Sequence, residues 1–157
     1  MLAFLLSLHI LAAIVGLGPT FSFPFLGIMS EKQPSAARAL QEVILVISTR
    51  LVIPVVVVIG ITGALIMGQT HYDLTKNSWL GAGIILYLLV LAASIFYQVP
   101  TQKKILALLG PGGGPGSGMD NPALRKLANG QRAVGIAMAL AVVIIAVLMV
   151  WKPGAGA

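Results

Sequence analysis

Cysteine is absent from this chain of 157 residues, and charged side chains are few. The absence of cysteine excludes disulfide bonds, thiolate metal sites, iron–sulfur clusters and cysteine nucleophiles. Only 9% of the residues are charged whereas 58% are apolar, so the chain cannot cover a core with a water-exposed surface. The composition therefore predicts a membrane protein.

Acidic residues are the scarcest charged class, with 4 Asp and Glu against 10 Lys and Arg. None of the four lies inside a long apolar run, so a carboxylate-based proton relay or a catalytic triad has no acid to carry it. The basic residues lie between and beside the apolar runs and form no patch interleaved with aromatics, which argues against a nucleic-acid partner. The sequence thus favours a binding or structural role over enzymatic activity.

Long apolar runs occupy residues 2–29, 43–68, 79–98 and 133–151, and we call them spans 1 to 4. Each is long enough to cross a hydrocarbon core of about 30 Å as a helix, at roughly 1.5 Å per residue. The sequence predicts an all-α polytopic membrane protein, a bundle of four transmembrane helices in a single membrane domain. The lipid bilayer is its first partner.

Prolines and glycines interrupt this pattern at defined places. Gly18-Pro19 predicts a break in span 1 and Pro54 a bend in span 2, because proline lacks the backbone donor and clashes with the preceding turn. Residues 110–118 are almost entirely glycine and proline, which predicts a flexible linker. Asn121-Pro122 then has the pattern of a helix start, with Asn121 as the cap.

Lysine and arginine are distributed unequally between the two sides of the predicted membrane. The links 30–42 and 99–132 and their edges hold most of them, whereas the opposite side holds two. The first group is Lys32, Arg38, Arg50, Lys103, Lys104, Arg125, Lys126 and Arg132, and the second is Lys76 and Lys152. The positive-inside rule therefore predicts that these two links are cytoplasmic and that both termini lie outside.

Two histidines are the candidate cofactor ligands. His9 lies about 10 Å inside span 1 by helical rise, and His71 follows span 2 on the same predicted side. Together they could supply axial imidazole ligands to a haem b. The alternatives are a neutral His9 hydrogen-bonded across the bundle and a solvated His71 in a polar link.

A second group of candidates suggests a substrate path. Gly16, Gly18, Pro19 and Thr20 form the type of helix break that transporters use to expose backbone groups, although small residues also permit close helix packing. Arg50 is a charge embedded in an apolar context. Its side chain either snorkels to the headgroups or pairs with an anion such as a haem propionate.

Three short motifs carry a family resemblance: the segment from Leu8 to Gly18, the pair Thr62-Gly63 and the pair Trp79-Leu80. With them the chain resembles a bacterial family of four-span predicted integral membrane proteins of unknown function. The resemblance implies a multi-pass protein of the bacterial inner membrane.

The Leu-His-Ile start of span 1 also distantly resembles the membrane-type protoporphyrinogen oxidases that bind haem b, and the copper-resistance D proteins. The oxidase resemblance implies His9 as a haem ligand. Phe-Ser-Phe-Pro-Phe follows where those enzymes have a tyrosine and arginine signature, so the resemblance does not imply their activity.

Three functions remain open from the sequence. The first is a non-catalytic accessory or structural subunit within a membrane-protein complex or homo-oligomer, favoured by the scarcity of chemical groups. The second is a haem b-binding redox-type protein that uses His9. The third is a small-solute transporter or channel built around the break in span 1.

Overall fold

The computed structural model describes residues 1–70, 77–110 and 121–152, and within these ranges the chain is helical except at helix ends and the α2–α3 junction, without a strand. The α-helices are α1 (Leu2–Leu17), α2 (Phe23–Lys32), α3 (Pro34–Ile47), α4 (Ile53–Thr70), α5 (Ser78–Ala93), α6 (Val99–Leu109) and α7 (Pro122–Trp151). Short segments of different helical geometry join α1 to α2, α3 to α4 and α5 to α6.

These elements make four continuous helices of membrane length, Leu2–Lys32, Pro34–Thr70, Ser78–Leu109 and Pro122–Trp151. They have 30 to 37 residues each and are therefore at least about 45 Å long, well beyond a hydrocarbon core of about 30 Å. The prediction of an all-α polytopic membrane protein with four spans is confirmed. Each span extends past its apolar run, and span 3 continues through Pro100 to Leu109.

Span 1 departs from α-helical geometry where the sequence predicts a break. The segment Gly18–Ser22 is a 3₁₀-helix, with Pro19 inside it and Pro24 in the first turn of α2. Neither proline can donate to the carbonyl four residues earlier, so the regular ladder is interrupted twice within one turn and a half. This segment separates α1 from α2.

Spans 2 and 3 each contain a π-helical turn directly before a proline. Ser48–Val52 precedes Pro54, and Ser94–Gln98 precedes Pro100. In both places the residue before proline donates its N–H to the carbonyl five residues back, which widens the turn where the proline ring would clash. The departure predicted at Pro54 is thus present, and an equivalent one occurs in span 3.

The two ends of the bundle differ in how the helices pack. We call the end that holds the α2–α3 junction and the start of α7 the basic end, and the end that holds Met1 and Trp151 the terminal end. Toward the terminal end α1 packs along α4 and α5 packs along α7, so spans 1 and 2 form one hairpin and spans 3 and 4 another. Toward the basic end α3 contacts α6, and α7 contacts α2 and α6.

The basic end has its own small core. Ala37, Ile105, Leu109 and Leu124 are buried together, and Leu127 packs against them. The first turn of α7 is fixed locally, because the Asn121 side chain accepts from the Ala123 N–H as the sequence predicts.

The Arg38 side chain caps the C-terminus of α6. Its guanidinium donates to the carbonyl oxygens of Leu106 and Gly110, at 3.2 and 2.7 Å, and pairs with Glu42 at 2.9 Å. These carbonyls have no partner within their own helix, so a side chain of span 2 supplies the hydrogen-bond donors that the C-terminus of span 3 lacks.

Near mid-membrane, Tyr87 joins the two hairpins. Its hydroxyl donates to the Val56 carbonyl at 3.0 Å, and its ring lies over Gly60, where a Cβ atom would be 2.9 Å from Tyr87 Cζ. Glycine at position 60 therefore leaves the space that the tyrosine occupies.

We expect Gly60→Ala to destabilise the protein by about 1–3 kcal/mol, because the added methyl group displaces Tyr87 from Val56. Gly68→Ala is the matched control on the same helix, since nothing lies within 4 Å of a Cβ atom there. Unfolding of both variants in SDS, followed by circular dichroism, measures the difference. Equal stability of the two would contradict the packing described.

Candidate ligand-binding cavity

A cavity of about 160 Å³ lies among the four spans in the half of the bundle toward the basic end. The three segments that depart from α-helical geometry all contribute to its wall, through Thr20, Ser48, Val52, Ser94 and Gln98. Because these turns widen or tighten their helices next to prolines, the helices do not close on one another at this level.

The cavity wall changes from apolar to polar along the membrane normal. Toward mid-membrane it consists of Leu17, Val52, Val56, Val90 and Val142. Toward the basic end it also carries polar side chains, those of Ser30, Gln41, Gln98, Gln102 and Gln131. Gln131 and Val142 are both on α7, which separates the two levels by about 16 Å of helical rise.

Amide side chains at the polar level form one directional chain of hydrogen bonds. Gln131 donates to Gln102 Oε1, Gln102 donates to Gln41 Oε1, and Gln41 Nε2 donates to Ser30 Oγ at 2.8 Å. Ser30 then donates to the Gly27 carbonyl at 2.7 Å. Gln131 lies on α7, Gln102 on α6, Gln41 on α3 and Ser30 on α2, so the chain of hydrogen bonds connects all four spans.

Gln102 is the most buried member of this chain, with 2% of its surface exposed. Its amide nitrogen also donates to the Gln41 backbone carbonyl at 2.9 Å. Both polar atoms of the Gln102 amide are therefore bonded inside the protein. Such full satisfaction is what allows an amide to be buried at this depth.

Gln98 stands apart from the chain and is only partly satisfied. Its nitrogen faces two acceptors, the Gln131 carbonyl at 3.4 Å and Met138 Sδ at 3.8 Å. Its oxygen, Oε1, is buried without a hydrogen-bond partner among the described residues. Exchanging the two atoms would bring the oxygen against two acceptors and leave the nitrogen without one, so the orientation with Oε1 as the unpaired atom is favoured.

An ion pair between Arg132 and Glu31 lies at the edge of the cavity nearest the basic end. It connects span 4 to span 1, and its side chains remain 40% and 29% exposed. The two opposite charges compensate each other. The rest of the wall consists of amides, hydroxyls and apolar groups, so the cavity as a whole is uncharged.

His9 lies elsewhere, toward the terminal end between α1 and α4. Its Nδ1 is 2.9 Å from Thr62 Oγ1, and that hydroxyl is also 2.8 Å from the Val58 carbonyl. We assign the Thr62 hydroxyl proton to the Val58 carbonyl, the nearer of the two carbonyls it contacts. With this assignment the His9 ring donates from Nδ1 and its lone pair is on Nε2. Gly63 leaves room for the ring, since a Cβ atom there would be 3.3 Å from His9 Cε1.

The residues predicted as a substrate path do not form one site in the structure, because only Thr20 among Gly16, Gly18, Pro19 and Thr20 lines the cavity. Thr20 lines the cavity and its hydroxyl donates to the Leu17 carbonyl. Gly16 is buried against Val55, where a Cβ atom would approach within 2.7 Å, and thus serves close packing of α1 on α4. Gly18 is exposed and Pro19 is half-buried.

Arg50 and His71 are not brought to the cavity. Arg50 is exposed on the π-helical turn of span 2 and has no hydrogen bond or ion pair to the described residues, an arrangement compatible with snorkelling. His71 and the linker residues 111–118 lie outside the described residues, so the haem pair of His9 with His71 stays a prediction.

The glutamines of spans 3 and 4 are the functional candidates that sequence reasoning missed. Gln98, Gln102 and Gln131 lie near the basic ends of predicted helices, and Gln41 lies near the start of span 2. An amide at a similar depth on neighbouring membrane helices is a signal for interhelical hydrogen bonding.

A chain with four membrane-length helices and a polar cavity among them is a polytopic α-helical membrane protein. Residues 3–153 match the family of predicted integral membrane proteins designated DUF2269, and the chain belongs to this family. The predicted resemblance to such a family is thereby confirmed, whereas the resemblance to the haem-binding oxidases and copper-resistance proteins stays a hypothesis. No curated protein and no solved structure matches the chain.

We expect Gln102→Leu to destabilise the protein by about 1–3 kcal/mol, because it leaves Gln41 Oε1 buried without a donor. Gln33→Leu is the matched control, since Gln33 is exposed at the α2–α3 junction. SDS unfolding measures both variants. A Gln102 variant as stable as the control would mean that the amide chain contributes nothing to stability.

Proposed function

We propose that this protein binds a small uncharged molecule in the cavity and exchanges it with the compartment at the basic end, as a transporter or channel subunit does. The observation that carries the proposal is the cavity itself, which all four spans line and whose wall toward the basic end carries amide and hydroxyl side chains and one compensated ion pair. Its mixture of apolar and polar groups is typical of small-molecule sites, and its volume of about 160 Å³ restricts it to a small ligand.

The composition of the wall supports an uncharged occupant. Glu31 and Arg132 neutralise each other, and the amides offer donors and acceptors without a net charge. An ion transferred into this site would lose its hydration without gaining a counter-charge. The proposal is therefore one of binding, and no chemical step is assigned to the residues of the wall.

The positive-inside rule supports the orientation that we propose. Lys32, Arg38, Arg125, Lys126 and Arg132 all belong to the basic end, which would face the cytoplasm of a bacterial cell from the inner membrane. The cavity would then open toward the cytoplasm. The accessory-subunit hypothesis stays a prediction from the sequence, and co-purification with a larger complex tests it.

The absence of cysteine makes a direct test of access to the cavity available. We expect Ser94→Cys, in the cavity wall, to react with an uncharged, membrane-impermeant glycosyl methanethiosulfonate in inside-out vesicles. The control is Ile85→Cys, which is 62% exposed on the lipid-facing side of the same helix, where a thiol does not ionise. We expect its reaction to be at least about tenfold slower.

A second substitution in the Ser94→Cys background tests the cavity. Ala139→Phe places a ring in the cavity wall, whereas Ala137→Phe, two residues away, points to the exposed surface. We expect Ala139→Phe to slow labelling about tenfold and Ala137→Phe to leave it within about twofold, because only the first fills the cavity. Ser48→Cys is a second reporter should Ser94→Cys fail to insert.

Labelling by the reagent added outside, or labelling unaffected by Ala139→Phe, would overturn the proposal. The first result would place the opening on the opposite face of the membrane. The second would show that the reagent reaches the thiol by another route.

Haem b binding is a second candidate, which the His9–Thr62 hydrogen bond favours. Imidazole ligands commonly donate their second nitrogen to a neighbouring oxygen, which fixes the ring and presents Nε2. Thr62 accepts from His9 in that manner and is itself 4% exposed. A bound haem would supply electron transfer, and His9 would hold its iron.

We expect protein expressed with ample haem to show a Soret band if His9 is a ligand, and His9→Ala to abolish it while insertion stays near wild type. If His9 only packs, His9→Ala should cost about 0.6 kcal/mol, the average for interhelical hydrogen bonds in membranes. Wild-type protein without a Soret band would remove the haem hypothesis and leave the cavity proposal intact.

A further inference from the structure

We infer that the molecule bound in the cavity is an uncharged amphiphile whose hydroxyl group donates to Gln98 Oε1, with its apolar chain extending toward mid-membrane. The inference rests on the proposed function and names the class of molecule that the cavity selects. Gln98 is its specificity-determining residue.

The first argument is the state of the polar atoms at the basic-end level. Gln41 and Gln102 bond to each other, and Gln131 bonds to Gln102, so the oxygens of Gln41 and Gln102 are engaged inside the protein. Gln98 lines the cavity, and its Oε1 is buried without a partner among the described residues, so a ligand hydroxyl meets this atom once the amide turns toward the cavity. A buried acceptor without a donor is costly, and a ligand hydroxyl removes that cost.

The second argument is the polarity of the atom that is left. Since the Gln98 nitrogen is directed at the Gln131 carbonyl and Met138 Sδ, the group offered to a ligand is an acceptor. An acceptor selects a donor such as a hydroxyl. It disfavours a carboxylate or an ether oxygen, both of which lack a proton to give.

The third argument is the shape of the apolar part of the wall. From Gln98 the wall continues on the same helix to Val90, about 12 Å away by helical rise, and is faced there by Val56 and Val142. This corridor lies parallel to the membrane normal. An alkyl chain in it would have the direction of a lipid chain in the leaflet at the basic end, with its polar group at the same side.

Photoaffinity labelling tests the inference with octan-1-ol that carries a diazirine on its chain. The matched probes are its methyl ether, which lacks the donor, and the corresponding carboxylate, which carries a charge. Each is added to the full-length protein in liposomes, and labelled residues are mapped by mass spectrometry. We expect the alcohol to label the cavity wall about fivefold more than the ether, and the carboxylate less than either.

Gln98→Met keeps the length of the side chain and removes the acceptor, so it should lower labelling by the alcohol about fivefold without changing labelling by the ether. Gln33→Met, at an exposed position, should behave as wild type with all three probes. The Ala139→Phe variant should lose labelling of the cavity by all of them.

The outcomes separate this inference from the proposed function. Equal labelling by alcohol and ether, lost together in Ala139→Phe, would overturn the hydroxyl selection and leave a ligand-binding cavity in place. Preferential labelling by the carboxylate would also overturn it. Failure of all probes to reach the wall, together with an unreactive Ser94→Cys, would overturn the proposed function as well.

Discussion

One chain of amide hydrogen bonds, from Gln131 through Gln102 and Gln41 to Ser30, passes through all four membrane helices, and the arrangement of the basic-end half depends on it. Apolar packing between membrane helices has little directional preference, because lipid chains compete equally for the same surfaces. A hydrogen bond does have direction. Each donor in this chain finds its acceptor on the neighbouring span only at one depth and rotation, so the chain fixes the register of every span against the next.

Prolines explain why a cavity is present beside this chain. Pro19, Pro54 and Pro100 each interrupt a helix within the same half of the bundle, and the turns next to them are 3₁₀ or π instead of α. A π-helical turn displaces side chains from the regular stripe, and here it directs Ser48, Ser94 and Gln98 toward the interior. The amide chain holds the helices together toward the basic end, whereas the irregular turns keep them from packing closely nearer mid-membrane. The cavity is the space that these turns leave open beside the amide chain.

The sequence predicts those features that depend on local or one-dimensional properties. The four spans follow from the length of the apolar runs, the break at Gly18-Pro19 from proline chemistry, and the start of α7 from the Asn121 cap. The partners of Gln102 do not follow in this way, because its contacts with Gln41 and Gln131 depend on how three helices rotate about their axes. His9 is predicted as a site by its depth, but its bond to Thr62, 53 residues away, requires the packing of α1 on α4.

The contact between Arg38 and the last carbonyls of α6 has a consequence for biogenesis. Span 2 enters the membrane before span 3 has been synthesised, so Arg38 at first has only Glu42 of its own helix as a partner, and the side-chain oxygen of Gln41 has no donor from span 3. Arrival of the third helix supplies both partners at once, 61 to 72 residues later in the chain. The early hairpin of spans 1 and 2 therefore carries polar groups whose partners arrive only with span 3.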